Sequence, residues 1–277
     1  MVRSALALFV FGLMAIPIGI PVCLIGLVYP SRRVYAWSAT LWANTMLAIC
    51  GVRLKVEGAE FLQGDNAKFF VGNHQSILDV PILISVLGGR FRFLSLDRLF
   101  QIPIAGWVMS AYGHVPIDQN RPRVALARLT KMVEAIHRRP ISMAVFLEGT
   151  RSIDGKLLPF RKGTMKICQR AGLMIVPFTI DGSVKVCRRN QMGVQPGEVR
   201  LRFSQPLSVE EVAAMTPGQI HDYVRERIAA GLRPAADTEA ECIGAMQGAM
   251  QPAAAESNER EIVESSPNVI KQRANAL

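Results

Sequence analysis

Between residues 52 and 233, short apolar runs alternate with amphipathic ones, and this alternation narrows the folds open to the chain more than any other feature. "VRLKVEG" (52–58) and "RFRFLS" (90–95) repeat with period two, as half-buried strands do. "KFFVGN" (68–73), "ISMAVFLEG" (141–149) and "MIVPFTI" (174–180) are short and almost wholly apolar, as strands covered on both faces are. "HVPID" (114–118) and "EVRLRFSQPL" (198–207) add two more strands. Between them lie helical stretches. "LDVPILISVLGG" (78–89) ends on a glycine pair, and "LFQIPIAGWVMSAYG" (99–113) is entered near Pro103. Residues 121–140 put Val124, Leu126, Leu129, Met132, Val133 and Ile136 on one helical face, with Pro140 as the stop. "RKGTMKICQRAGL" closes near Gly172, and "TPGQIHDYVRERIAAGL" is a last amphipathic helix. Strands alternating with helices predict an α/β domain over residues 52–233, a mixed sheet flanked by helices.

The first 51 residues read differently. No charge occurs from Ser4 to Ser31, longer than the ~20 apolar residues a spanning helix requires. Pro17 and Pro21 would kink such a helix. After Arg32 and Arg33, residues 34–51 are again uncharged and carry Trp37 and Trp42, residues suited to a membrane interface. Residues 1–51 are therefore expected to be membrane-embedded helices, either spanning or dipping into one leaflet. The basic residues Arg32, Arg33, Arg53 and Lys55 place the rest of the chain on the cytoplasmic side of the cell inner membrane. From Pro234 to the last residue the composition is rich in Ala, Glu, Gln and Ser, too polar to bury a core, and predicts a disordered tail over 234–277.

A formal net charge of +10 points to anionic partners, but aromatics are only 7% and no basic arm interleaves with them, so nucleic acid is not expected. The five cysteines form no C-x-x-C pair, which leaves zinc and redox chemistry without support, and Cys168 lies among apolar residues as a core position. No G-x-S-x-G stretch marks a serine hydrolase.

Chemistry is concentrated where two buried strands end. After "FFVG" comes "NHQSILD" (73–79). His74 and Asp79 cannot meet on one regular helix, since five residues turn it about 140° off one face. They can meet if His74 sits in the loop and Asp79 in the first helical turn, near Pro81. The carboxylate would then hold one ring nitrogen and leave the other as a base. The alternative is a helix cap with a dipole-complementing aspartate. The second strand ends in "FLEGTRS" (146–152), with Glu148, Gly149, Thr150 and Arg151, and an Arg fork there suits a phosphate.

These two segments, followed by "GKLLPFRKG" (155–163) and "VPFTI" (176–180), resemble in order the blocks of the 1-acylglycerol-3-phosphate O-acyltransferase (glycerolipid acyltransferase) family. Asn73, His74 and Asp79 meet the first block, and Gly113, Ile117 and Asp118 meet part of the second. Phe146, Glu148, Gly149, Thr150, Arg151 and Ser152 meet the third, Val176 and Pro177 the fourth. Leu147 replaces a usual proline, Gln119 a usual arginine with Arg121 and Arg123 following, and Leu96, Asp97 and Arg98 stand where a lysine is usual.

The resemblance implies transfer of an acyl group from an acyl thioester, acyl-CoA or acyl carrier protein, to the hydroxyl of a lysophospholipid acceptor. The first acceptor it implies is 1-acylglycerol-3-phosphate, giving phosphatidic acid. Another lysolipid such as lyso-ornithine lipid, or lipid binding without turnover, is the alternative. His74 and Asp79 would be catalytic, with Glu148, Gly149, Thr150, Arg151 and Arg121 binding substrate and backbone amides near Gly149 facing the oxyanion. No metal and no bound cofactor is called for.

Overall fold

The structure, a computed structural model, describes residues 32–233 except 65, 104, 119–120, 139–140, 162 and 189–192. The uncharged run 4–31 and the tail 234–277 lie outside the described residues. Seven strands form one mixed sheet: β1 (Val52–Glu57), β2 (Lys68–Gly72), β3 (Phe91–Leu96), β4 (Val115–Ile117), β5 (Ser142–Phe146), β6 (Met174–Asp181) and β7 (Gly197–Phe203). Their order is β1-β7-β6-β2-β5-β3-β4. The five strands from β6 to β4 run parallel, while β7 pairs antiparallel with β6 and carries β1 beside it in its own direction.

Alternation along the central strands sorts the core into two faces. Phe70 of β2 lies opposite Ala144 of β5 and Val176 of β6, and all three join one apolar layer. Phe69 lies opposite Met143 and Ile175, which join the other. Helices α1 (Arg32–Ile49) and α2 (Asp79–Leu87) contribute to the first layer, through Ala43, Met46, Ile82 and Leu83. Helices α4 (Pro122–Arg138), α5 (Thr164–Ala171) and α8 (Pro217–Gly231) contribute to the second, through Met132, Ile136, Met165, Cys168, Ile220, Val224 and Ile228. A fully buried aliphatic side chain contributes about 1.5–3 kcal/mol relative to exposure, so these two layers supply most of the drive to fold. The remaining helices are short: α3 (Ala105–Ala111), α6 (Ser183–Val186) and α7 (Val209–Ala214).

Two expectations need adjustment. Val124 does not belong to the buried face of α4: it is exposed, whereas Met132 and Ile136 are buried and Val133 is partly so. The side chains of Leu126 and Leu129 lie outside the described ones. Among the described residues, no helix is long and apolar enough to cross a membrane. Helix α1 instead packs Tyr35, Ala39, Ala43, Met46 and Leu47 into the core, with the Ser38 hydroxyl 2.6 Å from the Tyr112 hydroxyl, and leaves Trp37 exposed on its outer side.

The direction of the parallel strands decides where a site can form. Gly72 and Phe146 are register partners at the ends of β2 and β5, so the loops after them emerge side by side at the C-terminal edge of the sheet. Open α/β sheets bind their ligands at this edge.

Candidate active site

The loop after β2 is built around one buried carboxylate. Asp79 opens α2 and is fully buried. Its Oδ2 accepts from the Gln75 amide at 2.6 Å and the Ser76 amide at 2.8 Å, and lies 2.8 Å from His74 Nδ1. Its Oδ1 accepts from the Ser183 hydroxyl, on α6, at 2.6 Å. A carboxylate surrounded by amide donors can only accept, so the proton of the neutral imidazole sits on Nδ1 and Nε2 is left as a base. Four donors replace the water that burial removes from Asp79.

The imidazole is fixed from below as well. It stacks on the Phe146 ring with centroids 4.0 Å apart and planes 10° from parallel. Asn73, just before it, is buried and extends the sheet with its side chain, donating to the Ile180 carbonyl and accepting from the Ile180 amide, both at 2.8 Å. The ring keeps a 17% exposed edge, and that edge borders a cavity of about 590 Å³.

The loop after β5 is stitched to the first. The Leu147 amide donates to the Gly72 carbonyl at 2.9 Å, and the Ser152 amide to the His74 carbonyl at 2.8 Å. Gln75 Nε2 reaches the Gly155 carbonyl at 2.9 Å. Leu147 stands where the resemblance leads one to expect proline; proline has no N–H, so the bond to Gly72 belongs to this sequence. Gly149 turns the chain with φ 67°, and a Cβ there would overlap the Arg161 side chain. Its own amide donates to the Phe146 carbonyl at 3.2 Å, so the oxyanion role expected near Gly149 does not fall on a spare Gly149 amide.

The expected residues divide. His74, Gly149, Thr150 and Arg151 border the first cavity, with Phe93, Leu94, Leu96, Ile117, Leu147 and Ile167 among its apolar walls. Arg121 does not; its guanidinium pairs with Asp118 at 3.4 Å and borders an adjoining polar cavity of about 570 Å³. Arg98, Asp118, Gly149, Thr150 and Arg161 border both. Glu148 borders neither, being turned inward and 4% exposed. Gln119 and the side chain of Arg123 lie outside the described residues.

Ser183, Phe146, Arg98 and Arg161 were not foreseen as site residues. Ser183 and Asp79 are 104 positions apart, and no spacing signals such a pair. Arg161 was within reach, since "FRKG" stands inside the segment 155–163. The buried thiols offer no rival nucleophile: Cys168 is fully enclosed, and desolvation pushes its thiol far up and that of Cys50 up to about 11. Among the described residues, no group of three or more His, Cys, Asp or Glu side chains could hold a metal.

Residues 53–181 match the Acyltransferase family model. The chloroplastic 1-acyl-sn-glycerol-3-phosphate acyltransferase of Arabidopsis thaliana is 35% identical over 178 residues, 64% of this chain and 49% of that one. The 1-acyl-sn-glycerol-3-phosphate acyltransferase of Saccharomyces cerevisiae is 26% identical over 193 residues, 69% of this chain and 63% of that one. This chain spans about half the length of the first curated relatives it matches. The crystal structure of the 1-acyl-sn-glycerophosphate acyltransferase of Thermotoga maritima superposes with a TM-score of 0.73, covering 83% of this chain and 93% of that one at 22% identity, a likeness of fold.

Proposed function

We propose that this chain, whose residues 53–181 match the Acyltransferase family model, moves a fatty acyl group from an acyl thioester to the free hydroxyl of a lysophospholipid, in the first place 1-acylglycerol-3-phosphate, giving phosphatidic acid. The observation that carries the reading is the 2.8 Å contact between His74 Nδ1 and Asp79, with the imidazole edge on a cavity.

His74 Nε2 takes the acceptor's hydroxyl proton as that oxygen attacks the thioester carbonyl. Asp79 holds the ring's orientation and stabilises the imidazolium. Collapse of the tetrahedral intermediate expels the thiolate, which recovers the proton from the ring. Transfer is read as direct, through no acyl-enzyme: among the described thiols Cys50 and Cys168 are buried, and burial raises the half-buried Cys187 thiol above its ordinary value.

The apolar walls of the first cavity suit an acyl chain, and the arginines of the second suit an anionic headgroup. Asp97, near the usual lysine, pairs with Arg128 at 2.6 Å and borders the polar cavity together with Asp118, beside Arg98, Arg121 and Arg161. Residues 52–233 serve as the catalytic domain and residues 1–51 hold it at the inner membrane, facing the cytoplasm. The uncharged run 4–31 and the outward Trp37 support that placement.

The purified full chain is to be given an acyl thioester with 1-acylglycerol-3-phosphate or lyso-ornithine lipid in parallel, and the products weighed by mass spectrometry. The phosphorylated acceptor is expected to be used, and His74→Ala to lose about 10²–10⁴-fold in turnover. Turnover within a few-fold of the parent removes His74 as the base, and an acyl adduct on Ser or Cys removes direct transfer.

A further inference from the structure

Glu148 has no part in the chemistry above. Its carboxyl is 4% exposed, it borders neither cavity, and both oxygens are buried without a hydrogen-bond partner. Native proteins rarely leave such groups unsatisfied, so each one calls for an explanation. Four groups face it. The Asp79 carboxylate, on α2, opposes its ionisation, and Arg225, on α8, favours it. The amides of His74 and Leu158 approach and also favour the charge, without closing a hydrogen bond. Arg225 is engaged elsewhere: its Nη1 donates to the Leu158 carbonyl at 3.1 Å and its guanidinium lies 5.3 Å over the Phe160 ring.

We propose that Glu148 is a positioning residue that works as a neutral carboxylic acid, filling the space between the His74 backbone and the 155–160 loop so that the imidazole keeps its seat. When its O–H proton leaves to a solvent base, the carboxylate has only the amides of His74 and Leu158, neither closing a hydrogen bond, in place of water; it is driven outward, and the His74 backbone loses its support. For the rate, this inference rests on the acyltransferase reading; for stability it does not.

Burial pushes the carboxyl up from 4.5 to about 8. The native chain therefore holds a proton at neutral pH that the unfolded chain has released. The stabilisation from this group is complete below about 4.5, falls as pH rises, and is gone above about 8.

The test compares the full-length parent, Glu148→Gln and Glu148→Ala. Glu148→Gln keeps the neutral shape at every pH. The Tm of the parent is expected to fall relative to that of Glu148→Gln as pH rises from 5 to 8, and the gap to level off beyond. With acyl thioester and 1-acylglycerol-3-phosphate, the parent should lose kcat above about pH 8 and Glu148→Gln should not, while remaining within about threefold of the parent at pH 6.5. Glu148→Ala should lower kcat and leave KM in place. Should Glu148→Gln fail to fold, the protonated-carboxyl infrared band of the parent decides: present at pH 6.5 and lost by 9.5 supports the proposal, and absent at pH 6.5 overturns it. A Tm gap that does not change from pH 5 to 9 overturns it, as does a Glu148→Gln variant with native Tm and a sharply raised KM, which would make Glu148 an acceptor ligand. If the parent shows no acyl transfer, the enzymatic reading falls and the Tm comparison still decides the role of Glu148.

Discussion

Two carboxyl groups lie buried at the ends of neighbouring parallel strands, and the chain treats them in opposite ways. Asp79, beyond β2, receives donors from His74, Gln75, Ser76 and Ser183. Glu148, beyond β5, receives none. Burial is almost equal, so burial alone does not decide what an acid does; the donors that replace water do. In the proposed reaction the first loop is therefore a charged device that orients a base. The second is a scaffold whose turn, Gly149 to Arg151, is what reaches the cavity.

The largest test of this contrast is Asp79→Asn. An amide can accept on one side only, so its NH₂ must face either the Ser183 hydroxyl or the donors gathered on Oδ2. The tautomer of His74 is no longer enforced, and kcat is expected to fall about 10³–10⁴-fold with the fold retained. The equivalent neutralisation at the other loop, Glu148→Gln, leaves turnover near the parent's at pH 6.5. Steady-state kinetics on the two variants side by side would break the comparison if they lost activity equally.

Next in size is Leu147→Pro, which brings the third block to the usual family pattern. In this chain it removes the donor to the Gly72 carbonyl and empties a fully buried site. We expect a loss of about 3 kcal/mol, read from denaturant unfolding, and not the gain that matching the pattern would suggest. Below it stands Ser183→Ala, which strips one of the four donors from Asp79. A hydrogen bond to a charged group contributes about 1.5–3 kcal/mol, so a loss near 2 kcal/mol and a fall of about tenfold in kcat are expected. An unchanged kcat would show that the other three donors hold Asp79 without it.

How much of this could be read from the sequence depends on how local each cause is. The strands and helices were legible because period two and period 3.6 are local, as "RFRFLS" and residues 121–140 show. The His74–Asp79 pair was legible because a loop and one helical turn suffice to join them. Ser183 was not, because it arrives from beyond β6, after a chain reversal that no spacing encodes. The antiparallel β7 was equally hidden: its residues look like any strand's, and only pairing with β6 sets its direction. The inward placement of Glu148 is hidden for a related reason. In a turn, alternation ends, and nothing in "LEGTR" says which side chain points inward. A helical wheel places Val124 on the apolar face, while among the described residues it lies exposed.

The smallest effect belongs to Gly149→Ala, and it isolates what the second loop contributes to the cavity. Gly149 sits at φ 67°, where an alanine costs about 1–2 kcal/mol from backbone strain alone. Its Cβ would also overlap the Arg161 side chain, which borders both cavities. Gly88, after α2, has the same φ of 67° and open space where its Cβ would go. Gly88→Ala therefore carries the backbone strain without the displacement. Both variants are expected to lose about 1–2 kcal/mol by thermal unfolding. Only Gly149→Ala should raise the KM for the phosphorylated acceptor, by several-fold, because only there must Arg161 move. Equal kinetics in the two variants would mean that the position of Arg161 does not matter to the acceptor, and the headgroup would then have to be sought among Arg98 and Arg121 instead.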